Sequence, residues 1–245
     1  MPSTNAIYSG IPTTIFEVMS RLAQQHDAVN LGQGFPDVDG PLGLREFAAE
    51  ALLNGPNQYP PMPGLPVLRQ AVAQSYARFQ DVAIDWQSQV IITSGATEAL
   101  SDCINGLINP GDEVVLLEPL YDCYAPLVER AGGIIKLVRL EPPNWELPVE
   151  ALQDAFSANT KLVLLNNPMN PAGKMFSRPE LEVIVDLCVA HDAFIVADEV
   201  YEHLTFDGRS HISILSLPNA QERSVAIGSA GKTFSMTGWK VGTVT

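Results

Sequence analysis

The stretch LVLLNNPMNPAGKMFSRPELEVIVDLCVAHDAFIVADEVYEHL, Leu162–Leu204, decides how the chain folds. It opens on a short apolar run, Leu162–Leu165, with the length and uniformity of a strand buried on both faces. The run NNPMNPAGK (Asn166–Lys174) then breaks the pattern, because proline fixes φ and lacks a donor. Ser177 stands three residues before Glu180, the capping-box signature of a helix start, and a helical pattern follows to His191. A second apolar run, Phe194–Ala197, ends at Asp198. Strand, helix and strand in that order make a βαβ unit.

The same alternation extends outward. Short β-rich runs occur at Val90–Thr93, Glu113–Leu117, Gly133–Leu140 and Ser224–Ile227. Helical patterns at Thr97–Leu107, Tyr121–Ala131 and Pro148–Ala158 lie between most of them. Val241–Thr245 reads as the start of another strand. The predicted fold class is therefore α/β, with a mostly parallel sheet covered by helices on both faces. Upstream, three helices are predicted. The first, Thr13–His26, is capped by Thr14 and Glu17 and carries Ile15, Met19 and Leu22 on one face. The second spans about Leu44–Leu53 and closes at Asn54-Gly55, and the third runs from Pro66 to Phe79. Gly32–Gly43 and Asn57–Gly64 are too rich in glycine and proline for regular structure.

Composition narrows the function. The 245 residues include 28 acidic and 14 basic side chains, a net charge of −14, with 46% hydrophobic residues. So apolar a chain is not a disordered acidic tail. Its acidity argues against nucleic-acid binding and against docking on an anionic membrane. No apolar run approaches the ~20 residues that span a bilayer. The start, MPSTNAIYSG, lacks the basic-then-apolar pattern of a secretory leader. Cys103, Cys123 and Cys188 are too few for a disulfide framework. A cytoplasmic protein is expected.

Ligands of open α/β sheets sit at the C-terminal ends of strands, so the residues after each strand are the informative ones. SGATEAL (Ser94–Leu100) opens a helix with small residues, which suits either a tight turn or a phosphate site. In EPLYDCY (Glu118–Tyr124), Tyr121 is a core aromatic or a platform for a planar ring. The asparagines of NNPMNPAGK build a structural turn or aim amides at a fixed place. Asp198, at an apolar strand end, is a helix N-cap or the partner of a buried cation such as a protonated pyridine nitrogen. In GSAGKTFSMTGWKVG (Gly228–Gly242), Lys232 lies among small and hydroxyl residues with Lys240 eight positions on. A lysine in such surroundings is nucleophilic toward aldehydes. The segment lacks the spacing of a nucleotide P-loop. Each signal alone is ambiguous. Together a phosphate cradle, an aromatic plate, an amide, a ring-nitrogen carboxylate and a Schiff-base lysine suit pyridoxal 5′-phosphate.

These motifs, with NLGQGFPDVDGP (Asn30–Pro41) and NQYPPMPGLPVLRQAVA (Asn57–Ala73), give the chain a resemblance to a known family. It is similar to class I/II aminotransferases of the fold-type-I pyridoxal-phosphate superfamily, in the branch of kynurenine aminotransferase, glutamine transaminase K and methionine aminotransferase. The resemblance implies an N-terminal segment and arm at 1–45 and the cofactor-binding large domain at 46–245. It implies a ping-pong transfer of an amino group from an amino acid to a 2-oxo acid. Lys232 would carry the cofactor as a Schiff base and move the proton between Cα and C4′. Asp198 would hold the pyridinium N–H, Tyr201 and Asn170 would bond O3′, and Tyr121 would stack on the ring. Gly95, Ala96 and Thr97 would bind the phosphate, with Ser229 and Lys240 completing that site. Asn166 would flank the cofactor beside Asn170. Gly34 would approach the substrate carboxylate. Tyr59 would reach the neighbouring subunit's phosphate, which implies a homodimer.

Two departures accompany the resemblance. Met169 stands where many relatives have histidine, which bears on local packing. Relatives also continue past the lysine loop into a small domain that carries the substrate-carboxylate arginine. The chain is therefore expected to be an incomplete large domain, its small domain largely missing, with little or no turnover alone. A carbon–sulfur β-lyase shares every motif quoted, and a fragment that only binds the cofactor is the further alternative. His26, His191, His203 and His211 have no metal-ligand spacing, and Glu199 and Glu202 are expected to be solvated or in local salt bridges.

Overall fold

The structure, a computed structural model, describes residues 5–34 and 36–245. Met1–Thr4, read above for a leader pattern, and Phe35 of the Asn30–Pro41 motif lie outside it.

In chain order the helices α1 (Ala6–Ser9), α2 (Ile15–Gln25), α3 (Leu42–Asn54), α4 (Pro66–Phe79) and α5 (Trp86–Gln89) precede the sheet. Then come β1 (Ile91–Thr93), α6 (Ala96–Leu107), β2 (Glu113–Glu118), α7 (Tyr124–Arg130), β3 (Ile134–Arg139), α8 (Val149–Ala155) and β4 (Thr160–Asn166). The chain continues through α9 (Arg178–Ala190), β5 (Phe194–Asp198), β6 (Ser224–Ser229), α10 (Ala230–Thr233) and β7 (Gly242–Val244).

Local chemistry explains the boundaries. The Thr14 hydroxyl accepts from Glu17 N–H at 3.3 Å and starts α2. Both halves of the Ser177/Glu180 capping box form at α9. The helix predicted at Pro148–Ala158 stops at Ala155, because Ser157 N–H turns to the Thr160 hydroxyl at 2.8 Å and leads into β4. The helix predicted from Tyr121 begins only at Tyr124, which leaves Tyr121 in the turn before it.

The seven strands make one sheet in the order β1-β7-β6-β5-β4-β2-β3. All pairings are parallel except those of β7, which runs antiparallel between β1 and β6. The strands β2, β4 and β5 are apolar and buried nearly throughout, as strands covered on both faces must be. One face packs Val115, Leu117, Val163, Leu165 and Ile195 against α9 residues Leu181, Ile184 and Val185. The other packs Val114, Leu116, Leu162, Leu164 and Val196 against Ala99, Leu100 and Ile104 of α6 and Tyr124 and Val128 of α7. Alternate residues of a strand thus serve opposite cores.

The core stops short of the N-terminal helices. No described residue before Arg69 is buried. The apolar face of α2 is formed as predicted, yet Ile15 remains 64% exposed. Arg69 is the first buried residue, and its guanidinium donates to Val90 O and Gln87 O, each at 2.8 Å, which ties α4 to the start of the sheet.

One glycine in β7 controls how the sheet closes. A Cβ on Gly242 would stand 2.4 Å from Gly95 C and 2.7 Å from Ala96 N. Those are backbone atoms at a helix start and cannot swing aside. Gly242→Ala is expected to destabilise the fold by about 3 kcal/mol through forced displacement of this turn. Urea unfolding of the variant beside the parent checks it.

Candidate active site

The sheet register collects the candidate residues. Asn166, last in β4, pairs with Asp198, last in β5, and Asp198 pairs with Ile227 of β6. Gly242 of β7 faces Ser229, last in β6, on one side and Thr93, last in β1, on the other. The ends of β1, β4, β5 and β6 therefore form one row. Because β7 is antiparallel, its start, just after Lys240, lies in that row too.

Asp198 is the centre. It is 4% exposed, so its charge is taken out of water. Tyr124 Oη donates to its Oδ2 at 2.5 Å, and Val200 N–H reaches Oδ1 at 3.4 Å. Burial pushes the carboxyl up to about 6. The Tyr124 hydroxyl and Val200 N–H pull it down, Glu199 raises it, and the Lys232 charge lowers it.

Tyr201 and Lys232 face each other beside this carboxylate. Lys232 Nζ is 5.6 Å from the Tyr201 ring centroid. The Asn170 side-chain amide donates to Tyr201 Oη at 3.5 Å. Burial, then the Asp198 charge, raises the Tyr201 hydroxyl above its ordinary value. Tyr121 stands edge-on to Tyr124, with centroids 5.7 Å apart and planes at 77°. Burial pushes its hydroxyl up to about 12.

Asparagines brace the loop after β4. Asn166 Oδ1 accepts from Asn170 N–H at 2.6 Å, and its Nδ2 donates to Asp198 O at 2.9 Å. Both ends of that amide are thus engaged within the protein. Asn167 extends the brace, with its N–H on Asp198 O at 3.0 Å and its Oδ1 accepting from Phe176 N–H at 3.1 Å. Met169 is buried in the core on the α9 side of the sheet.

The phosphate-type turn is formed by Gly95, Ala96 and Thr97. Gly95 has φ +81°, a conformation in which a side chain is strained, and it caps α6 without a side-chain bond. A Cβ on it would lie 3.7 Å from Lys240 Cα and Cβ, so the turn and Lys240 are neighbours. Ser229 caps α10, and its Oγ accepts from Lys232 N–H at 3.4 Å. Tyr59 is fully exposed and Gly34 borders open space, so neither packs on this cluster.

A cavity of about 390 Å³ opens beside Asn170 and Tyr201, also lined by Met175, Phe206 and Arg209. A larger one of about 760 Å³ lies along the 172–177 loop, against the half-buried Lys174–Glu180 ion pair (2.7 Å), and touches none of the candidate residues.

Sequence reasoning missed two features. Tyr124 follows Tyr121 by one helical turn, a spacing that could have signalled a second aromatic at the site. The other is Glu199, where the structure corrects the expectation of a solvated or locally paired group. It is 1% exposed, its Oε1 accepts from Ile214 N–H at 2.7 Å, and its Oε2 lies 3.3 Å from His211 Nε2. That buried pair ties the 211–214 segment to the end of β5. No short-range pattern links the two residues. Among the described residues, no cluster of three metal-ligating side chains forms.

A parallel α/β sheet with acid, phenol, amide and lysine converging at its strand ends is the framework of an enzyme that holds its ligand there. Residues 26–245 match the family model of aminotransferase class I and II. The methionine aminotransferase of Escherichia coli (strain K12) is 45% identical over 230 residues, covering 94% of this chain and 60% of the relative. Human kynurenine–oxoglutarate transaminase 1 is 43% identical over 241 residues, covering 91% of this chain and 56% of the relative. The crystal structure of YbdL from Escherichia coli, reported to have a methionine aminotransferase function, superposes on the whole chain with TM-score 0.96 and 42% identity, and 64% of that structure is covered. The N-succinyldiaminopimelate aminotransferase of Mycobacterium tuberculosis gives TM-score 0.95 at 42% identity, with 99% of this chain and 64% of that structure covered. The chain belongs to the aminotransferase class I and II family. It spans about 60% of the length of the curated relatives it matches.

Proposed function

We propose that this chain carries the cofactor site of a pyridoxal 5′-phosphate-dependent aminotransferase, which moves an amino group from an amino acid to a 2-oxo acid by a ping-pong route. The buried Asp198 carries the reading. A carboxylate so deep in an apolar sheet is costly unless a cation meets it, and a protonated ring nitrogen is such a cation. The donor set around it fits the cofactor. Lys232 would make the covalent link, and Tyr201 and Asn170 would hold the phenolic oxygen. Tyr121 would lie against the ring, with Asn166 keeping Asn170 and the Asp198 backbone in register. The turn at Gly95 and the N–H groups of Ala96 and Thr97 would take the phosphate, joined by Ser229 and Lys240, while the Gly95 N–H is held by Thr93 O at 2.9 Å.

When bound, pyridoxal phosphate supplies an aldehyde for the amino group and a ring that accepts the electrons of the broken Cα–H bond. Lys232 Nζ, placed beside Tyr201, would take the proton from Cα and deliver it to C4′. Asp198 would hold the ring-nitrogen proton throughout.

The partner reading is a homodimer, with Tyr59 reaching the phosphate of the second copy and Gly34 near the substrate carboxylate. Its support is the uncovered apolar surface of the N-terminal part, where Leu31 is 90% and Phe47 71% exposed. Methionine and kynurenine, named for the relatives, are the donors to try first. The three unbonded cysteines suit a reducing cytoplasm. Among the described residues, no helix is long and apolar enough to cross a membrane.

The test is a double one. Protein loaded with the cofactor is reduced with borohydride and digested, and the label is expected on Lys232. Loaded protein is then given ¹⁵N-methionine and a 2-oxo acid: these 245 residues alone are expected to transfer little or no ¹⁵N, and a chain that also carries the small domain is expected to place it in the new amino acid. Pyruvate and ammonia released from a cysteine conjugate, with no 2-oxo acid present, would replace transamination by β-elimination.

A further inference from the structure

Asp198 has one close side-chain donor among the described residues, the Tyr124 hydroxyl at 2.5 Å. The two residues are 74 positions apart. Tyr124 opens α7 and is 2% exposed, packed in the core between the sheet, α6 and α7. From this geometry we propose that Tyr124 is a positioning residue for the transamination proposed above: its O–H fixes one carboxylate oxygen of Asp198 and keeps the group ionised for the ring nitrogen. The inference rests on that functional reading for what Asp198 meets, and on the structure for the contact itself.

A phenol suits this task better than a charged donor. A lysine or arginine against Oδ2 would neutralise Asp198 and compete with the ring nitrogen for it. A neutral O–H stabilises the anion and leaves its charge available. The proton also stays where it is. Burial and the Asp198 charge hold the Tyr124 hydroxyl well above its ordinary value, so the phenol does not surrender its proton to the carboxylate. The remaining neighbours do not replace it. From α10, Lys232 lowers the Asp198 carboxyl by its charge, while Glu199, next on the strand, raises it. Tyr121, Tyr201 and Cys123 feel the Asp198 charge, and each is held above its ordinary value, burial first. Val200 N–H is a distant 3.4 Å from the other oxygen.

Tyr124→Phe isolates the hydroxyl, because the ring and its packing remain. The readout is the ¹³C-carboxyl titration of Asp198 in the cofactor-free chain, assigned with Asp198→Asn. Loss of a hydrogen bond to a charged group is expected to raise the midpoint by about one pH unit or more. In the loaded protein, cofactor binding is expected to be about tenfold weaker, and the visible band of the lysine-bound cofactor to change its pH dependence. An unmoved Asp198 midpoint in the folded variant overturns the proposal. Should the variant not fold, the parent protein decides, since the ¹³Cζ signal of Tyr124 must step at the Asp198 midpoint, and no step also overturns it. The two readings fail separately. A parent chain that takes up no cofactor on Lys232 removes the function, whereas an unmoved titration beside normal Lys232 labelling removes only the role of Tyr124.

Discussion

Lys232→Ala is expected to abolish the borohydride-fixed label and, in a chain that also carries the small domain, to lower ¹⁵N transfer by at least about 10⁴-fold. One side chain would provide both the covalent link and the proton carrier, and a positioned acid–base alone contributes about 10²–10⁴-fold. The fold should tolerate the change. Lys232 is only half-buried, on a four-residue helix whose start is held by the Ser229 Oγ contact to the residue's backbone N–H. Alanine keeps that bond. The lost side-chain contact is the approach of Nζ to the Tyr201 ring at 5.6 Å, worth about 1 kcal/mol. Equal urea midpoints within that margin, beside absent turnover, are the expected pair of results. Lys232→Arg separates charge from nucleophilicity. It keeps a cation near Asp198 and forms no Schiff base, so it should bind the cofactor without fixing it. Residual turnover within tenfold of the parent in either variant would remove Lys232 from the reaction.

The sequence revealed this site for a physical reason. A strand buried in a parallel sheet must be an unbroken apolar run, so its end is sharp. The residues just past that end face the ligand edge, so Asn166, Asp198 and Ser229 could be found from the runs Leu162–Leu165, Phe194–Ala197 and Ser224–Ile227. The α9 capping box and the helix from Pro66 to Phe79 were legible because their signals are local. What the sequence hid depends on distant partners. The Val241–Thr245 run reads as a strand, but nothing in it says that β7 runs antiparallel between β1 and β6. That insertion is what brings Gly95 and Lys240 together. The Tyr124–Asp198 bond spans 74 positions, and Glu199 finds His211 on the opposite face of the sheet from Asp198. The N-terminal helices show the converse case. Their caps and faces are readable, while what covers Ile15 or Phe47 is not set by the short-range pattern.

Asp198→Asn is expected to impair function while stabilising the cofactor-free protein at neutral pH. The carboxyl has an ordinary value of 3.8 and burial raises it to about 6 in the folded chain. A raised value means that the folded state binds the proton more tightly than the unfolded one. The associated stability is therefore full below about pH 4, declines as pH rises through 4 to 6, and is absent above about 6. The difference of about two units corresponds to roughly 3 kcal/mol at pH 7.5. Asparagine has no charge to desolvate, and its side-chain oxygen can still accept from Tyr124. Cofactor-free Asp198→Asn should thus match the parent in urea near pH 4 and exceed it by about 2–3 kcal/mol at pH 7.5. With cofactor present the order should invert in function. The amide cannot balance a protonated ring nitrogen, and loss of such a preorganised charge costs about 10²–10³-fold or more. A protein stabilised by removal of a group its reaction needs holds that group at a cost to folding, as expected where a site is built to meet a buried cation. If the variant proves less stable than the parent at pH 7.5, Asp198 is not a desolvated charge in the cofactor-free fold. An unchanged rate of ¹⁵N transfer would separate it from the ring nitrogen altogether.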